Sequence, residues 1–148
     1  MGRIKQSQIT YWCHEIIRSQ AEAGGCYIDA TMGKGNDTLF LCELAGENGK
    51  VLAFDIQQEA LDATRELLRI HGKEQQAELI LDGHEHMGRY AMEESTDVIC
   101  FNFGYLPGGD HKLATTYQTS IEAIGKGLGI LKHGGMMSLC IYSGGDTG

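Results

Sequence analysis
Short apolar runs alternate with stretches of helical periodicity, glycines mark the joins, and this alternation leaves few folds open. Ile9 to Ala23 has helical spacing, with Trp12, Ile16 and Ile17 able to share one apolar stripe and Gly24-Gly25 ending it. Cys26 to Ala30 is a predicted strand, followed by a glycine loop and a helix from about Asp37 to Ala45. A turn over Gly46 to Gly49 leads into a second strand, Lys50 to Asp55. The next helix, Gln58 to Ile70, carries Ala60, Leu61, Thr64, Leu67 and Leu68 at helical spacing. Ala77 to Leu81 and Thr96 to Phe101 are a third and a fourth strand. A helix over Thr115 to Leu131 sets Ile121, Ile124, Leu128 and Leu131 on one stripe, and His133-Gly134-Gly135 turns into a fifth strand, Met136 to Tyr142. Strands that alternate with helices form a mostly parallel sheet covered on both faces. Ligands of such sheets sit beyond the carboxyl ends of the strands, near the switch in strand order. Those ends carry Asp29, Asp55, Asp82, Asn102 and Tyr142, so polar groups stand where a site is expected.

The loop Asp29-Ala-Thr-Met-Gly33-Lys-Gly35-Asn36-Asp37-Thr38 follows the first strand and opens the next helix. A Gly-x-Gly pair in that place lets backbone approach a ligand closely. Dinucleotide loops want a third glycine against the pyrophosphate. Here Thr38 holds that position and Asp37 brings a carboxylate beside it. A carboxylate repels pyrophosphate and suits a ligand with an ammonium and no phosphate, which describes S-adenosylmethionine. An NAD-dependent oxidoreductase is the competing reading from another class, and the same two residues count against it. Asp55 ends the second strand twenty residues after Gly35, where an acid accepts hydrogen bonds from ribose hydroxyls. An Asp there also serves as a helix N-cap before Gln58-Glu59. Gln57 is placed to help at the ribose or adenine. Asp82-Gly83-His84-Glu85-His86 follows the third strand, where adenine contacts are common, although histidines in such a loop can equally be surface groups.

After the fourth strand comes Asn102-Phe103-Gly104-Tyr105-Leu106-Pro107-Gly108-Gly109-Asp110-His111. Asn102 and Tyr105 have the Asn-x-x-Tyr spacing of nitrogen-directed methyltransferases. Methyl transfer is an in-line displacement, so catalysis is largely the aiming of an uncharged nitrogen lone pair. An amide oxygen can accept the acceptor's N–H bonds, and an aromatic face can stabilise the passing cationic centre. An aliphatic amine starts mostly as ammonium at neutral pH, and Asp110 or His111 could assist its deprotonation. The bland alternative is a structural turn with Asp110 capping the next helix. This Gly/Pro-rich loop is longer than a short strand-to-helix connection needs, which favours function.

These motifs together resemble the bacterial "putative rRNA methylase" family. It includes tRNA methyltransferases that convert 5-aminomethyl-2-thiouridine at the wobble position to its methylaminomethyl form. The resemblance runs from His14 through Tyr142 and is most specific over Asp29 to Thr38 and Asn102 to His111. It implies a Rossmann-like class I methyltransferase fold, S-adenosylmethionine as cofactor, and a tRNA anticodon loop as substrate. It also implies that Asn36, Asp37, Asp55, Gln57, Gly83 and His84 surround the cofactor, beside Asp29, Gly33, Gly35 and Thr38 of the loop. Lys34 stands where relatives often have Asn, and Gly83 where a serine is usual. The family continues past the fifth strand with a closing hairpin and a further helix. The expectation is therefore one domain over 1–148 that lacks its C-terminal part, with another reading being a fragment that binds cofactor without turnover. Another RNA base or a small-molecule amine remains a competing acceptor.

Composition narrows the partners. A net charge of −8 argues against a general nucleic-acid-binding surface but allows a local basic patch. No apolar run approaches membrane-spanning length, and the expected location is cytoplasmic. Five cysteines without a Cys-x-x-Cys spacing suggest neither a disulfide framework nor a metal site. Cys26, Cys100 and Cys140 lie in apolar runs and are expected to be buried. The apolar fifth strand has no later segment to flank it, so missing residues or a second copy, as in a homodimer, should cover its edge.

Overall fold
The computed structural model describes residues 6–103 and 117–141. Five strands form one parallel sheet: β1 (Cys26–Asp29), β2 (Lys50–Asp55), β3 (Ala77–Leu81), β4 (Thr96–Phe103) and β5 (Leu131–Ile141). Their spatial order is β3-β2-β1-β4-β5. The helices are α1 (Gln6–Gln20), α2 (Asn36–Ala45), α3 (Gln58–Ile70) and α4 (Tyr117–Ile130), and a short 3-10 helix spans His84–Arg89.

Right-handed crossovers dictate where these helices go. The chain steps from β1 to β2 to β3 in one direction, so α2 and α3 lie on the same face. It then crosses to β4 on the far side of β1 and steps the other way to β5, which puts α4 on the opposite face. The period-two alternation of the strands serves both faces. Tyr27, Val51, Val98 and Cys100 pack under α1–α3 with Ile17, Phe40, Leu41 and Leu68. Ile28, Leu52, Phe54, Ile99 and Phe101 face the other way, against Met87, Ala123 and Ile130. Burial on both faces explains why the strands carry nearly continuous apolar runs.

Several expectations need correction. Strand β4 reaches Phe103, so Asn102 sits within the strand and pairs with Cys140 of β5. Residues 132–135 do turn, as a bulge inside β5: Thr96 pairs with Leu131 and Val98 with Met136, and Gly134 has φ +85°. Trp12 and Ile16 are about half exposed, while Ile17 alone of the supposed stripe is buried. The inward face of α1 is instead Thr10, Cys13, His14 and Ile17, at helical spacing. On α4 the packed face is Ala123, Gly127 and Ile130, while Ile121 and Leu128 point to solvent. The absent side chain at Gly127 lets the helix settle against Met137 and Ile99, since a Cβ there would lie 2.8 Å from Met137 Cε and 3.2 Å from Ile99 Cδ1. Cys26 is exposed, whereas Cys100 and Cys140 are buried as expected.

Candidate functional site
The switch in strand order falls at β1, whose neighbours are β2 and β4. The loop that leaves β1 is held from three sides. Asp29 is fully buried, accepts the Thr38 hydroxyl at 2.6 Å on one oxygen and the Thr31 amide at 3.1 Å on the other. Burial and the nearby Asp37 charge push its carboxyl up from 3.8 to about 7, against the opposing effect of those two hydrogen bonds. Thr38 is likewise buried, so it acts here as a support beneath the loop. Gly33 and Gly35 have φ of +54° and +94°, conformations that glycine adopts without strain. At Gly35 there is no room either: a Cβ would stand 2.8 Å from Thr64 Oγ1 of α3. Thr64 in turn donates to the Gly33 carbonyl at 3.1 Å.

Asp55 closes the loop from β2. Its Oδ2 accepts the Gly33 amide and its Oδ1 accepts the Gln57 amide, each at 3.0 Å. A carboxylate offers about four acceptor directions, so two remain after these bonds. The N-cap expectation gives way to this bridging role, because Gln57 is the N-cap of α3 and no side chain caps the helix.

His84 is buried, with Nδ1 2.9 Å from the Ala30 carbonyl at the end of β1. A carbonyl can only accept, so Nδ1 carries the proton and Nε2 is left as an acceptor. Burial pulls the pKa of His84 down, despite the Ala30 bond, and so favours the neutral ring. Its Nε2 is buried with no hydrogen-bond partner. Gly83 is buried beside it in extended backbone. His86 is instead tied at 2.7 Å to Asp82, which also accepts from Tyr90 and the Gly83 amide. Burial opposes ionisation of Asp82, but these bonds outweigh it and hold its carboxyl below the usual range.

The acceptor side is fixed by β4. The Asn102 backbone N–H donates to Thr31 Oγ1 at 2.7 Å, which pins the end of β4 to the glycine loop. A small cavity between α1, the start of α2 and the ends of β4 and β5 is lined by His14, Asp37, Asn102, Cys13, Ser138 and Cys140, among others. Asp37 of the loop and Asn102 of the Asn-x-x-Tyr pair thus meet around one space. Tyr105, Asp110 and His111, and Tyr142 at the end of the fifth strand, lie outside the described residues. Asn36 is exposed at the first position of α2, and Gln57 is half-buried beside Asp55.

Sequence reasoning missed His14. Its Nε2 lies 2.6 Å from Asp37 Oδ1, and its ring stacks on Phe40 at 3.9 Å between centroids. The available signal was the spacing of Thr10, Cys13, His14 and Ile17, a helical stripe whose polar members face inward. A second, shallow concavity lined by Glu93, Glu94, Leu128, Lys132 and His133 lies at the amino end of β5, away from these groups.

Comparison with known proteins adds the family. The profile of the "Putative rRNA methylase" family matches residues 51–148. A "putative rRNA-methylase" of Clostridium thermocellum is 40% identical and superposes with a TM-score of 0.86, over 99% of this chain and 77% of that one. The chain belongs to this family. Another member-like structure, a "putative methyltransferase" of Streptococcus mutans in complex with SAH, is 37% identical with a TM-score of 0.77, over 93% of this chain and 73% of that one. The tRNA (mnm(5)s(2)U34)-methyltransferase, chloroplastic, of Arabidopsis thaliana is 34% identical over 97% of this chain. The chain spans only about half of that plant relative, 54% of its length. The five-strand parallel order with helices on both faces is the Rossmann-like arrangement that the sequence suggested.

Proposed function
We propose that the chain is an S-adenosylmethionine-dependent N-methyltransferase whose acceptor is the aminomethyl group of a tRNA wobble uridine. The observation that carries the reading is Asp55: it braces the glycine loop with one lone pair on each oxygen and keeps acceptor capacity for a pair of ribose hydroxyls. The donor set fits the rest of such a ligand. Asp37 suits its ammonium, and the orphaned Nε2 of neutral His84 suits an N–H donor such as the adenine amino group. When bound, S-adenosylmethionine supplies an electrophilic methyl group on a sulfonium. The chain's own work is then positional. Gly33, Gly35, Asn36 and Gln57 shape the donor pocket, and Asn102 accepts an N–H of the acceptor amine and aims its lone pair. By their places in the sequence motif, we assign Tyr105 to stabilising the passing cationic centre and Asp110 to taking the amine's proton.

The name of the Arabidopsis relative supports the tRNA wobble acceptor. The family's own name favours ribosomal RNA as the second reading. No helix among the described residues is long and apolar enough to cross a membrane, and a tRNA substrate fits our assignment of the cytoplasm. The test is nucleoside mass spectrometry of tRNA carrying 5-aminomethyl-2-thiouridine, and of ribosomal RNA, after incubation with the protein and the cofactor. A gain of one methyl on the aminomethyl nitrogen is expected, faster as pH rises and frees the amine lone pair. Asn102→Ala should lower that turnover about a hundredfold or more while SAH affinity stays within twofold. Methyl groups appearing only in ribosomal RNA, or only on carbon or oxygen, would contradict the reading.

A further inference from the structure
His14 has no part in the reading above, yet it makes a hydrogen bond from α1 to the glycine loop. Its ring is clamped parallel to Phe40 of α2, with 3° between the planes, and the Arg18 guanidinium lies 5.1 Å from the same Phe40 ring. That stack leaves the ring little freedom, and it aims Nε2 at Asp37 Oδ1. Both side chains are about one-sixth exposed, at 17% and 16%, so water competes weakly for the bond. Asp37 needs such a holder. It sits in the first turn of α2, where its side chain has several rotamers open to it, and the bond from His14 selects the one that keeps the carboxylate at the glycine loop.

We propose that His14 is a positioning residue for the methyl donor: it holds Asp37 through Oδ1 and so presents the carboxylate's remaining lone pairs to the donor's ammonium group. This rests on the assignment of Asp37 to the ammonium. Without His14, the ligand itself must order the carboxylate, and affinity falls by the cost of that ordering. The loss is confined to ligands that carry the amino-acid group.

Two probes separate this from plain packing of α1. SAH carries the ammonium, whereas 5′-methylthioadenosine keeps the adenosine and thioether but lacks the amino-acid group. His14→Phe keeps a ring on Phe40 and removes the N–H donor, and His14→Gln restores a donor of similar reach. In calorimetry, His14→Phe should weaken SAH about tenfold and leave 5′-methylthioadenosine within about twofold. His14→Gln should recover most of the SAH loss. With turnover, the change should appear in KM for the donor with kcat unaltered. In an Asp37→Asn background His14→Phe should have no further effect on SAH, because the group it positions is gone. Parallel loss of both ligands, or an SAH affinity that His14→Phe does not touch, overturns the proposal alone. Failure of the unaltered chain to bind SAH removes the donor reading and this proposal together.

Discussion

Asp29 is a buried carboxyl beside two other acidic groups. A carboxyl with no exposed surface, facing Asp37 and Asp55, is held neutral up to about pH 7. Its pKa is raised on folding, so the native state binds the proton more tightly than the unfolded chain does. The resulting stability is fully present below about pH 4 and is lost as pH rises to about 7. A rise from 3.8 to about 7 corresponds to at most about 4 kcal/mol. Asp29→Asn removes the titration while its amide can still serve Thr31 and Thr38. Thermal unfolding of the two proteins between pH 4 and 8 should show the wild type losing ground to Asp29→Asn up to about pH 7, then running parallel. Curves parallel throughout would mean that Asp29 is ionised in the folded chain. At this scale much was legible: Asp29, Asp55 and the two glycines stand in sequence where strand ends and tight loops put them. His14 was not, because its partnership with Asp37 is created by the packing of α1 over α2, which no local pattern encodes.

Elements were legible in kind and order, and less so in which face they bury. The stripe Ile121, Ile124, Leu128 and Leu131 is the natural choice for α4 when large side chains are weighted most. The helix buries Ala123, Gly127 and Ile130 instead, because small residues allow it closer to β4 and β5. On α1 likewise the large Trp12 and Ile16 are outward. A consequence follows for mutation. Gly127→Leu forces a side chain against Met137 and Ile99 and should cost about 1–3 kcal/mol. Leu128→Ser, at a side chain 63% exposed, should cost no more than about 0.5 kcal/mol. Urea denaturation of both variants checks the order; a larger loss at Leu128 would restore the stripe that the sequence suggested. The extent of β4 was also hidden. Asn102 reads as the first loop residue, but its backbone continues the pairing with β5 and is bonded to Thr31, which makes it a more rigid platform than a loop.

Across the whole molecule, one sheet brings together groups that are far apart in the chain. Asp29, Asp55, His84 and Asn102 arrive at the carboxyl ends of β1, β2, β3 and β4, on both sides of the strand-order switch. That convergence was foreseeable, since the alternation of strands and helices fixes the ends at which ligands bind. The acidic balance of −8 was equally legible, and it argues against RNA binding through overall charge alone. Among the described residues β5 pairs with β4 only, and Leu139 and Ile141 stay exposed along it. On the proposed function these converging groups bind a nucleoside with an ammonium and no phosphate. Calorimetry of SAH and of NAD against the unaltered chain and Asp55→Ala tests it most directly. SAH should bind, NAD should not, and Asp55→Ala should weaken SAH by about 1.5–3 kcal/mol with its fold intact. Binding of NAD in place of SAH, or SAH affinity untouched in a folded Asp55→Ala, would contradict it.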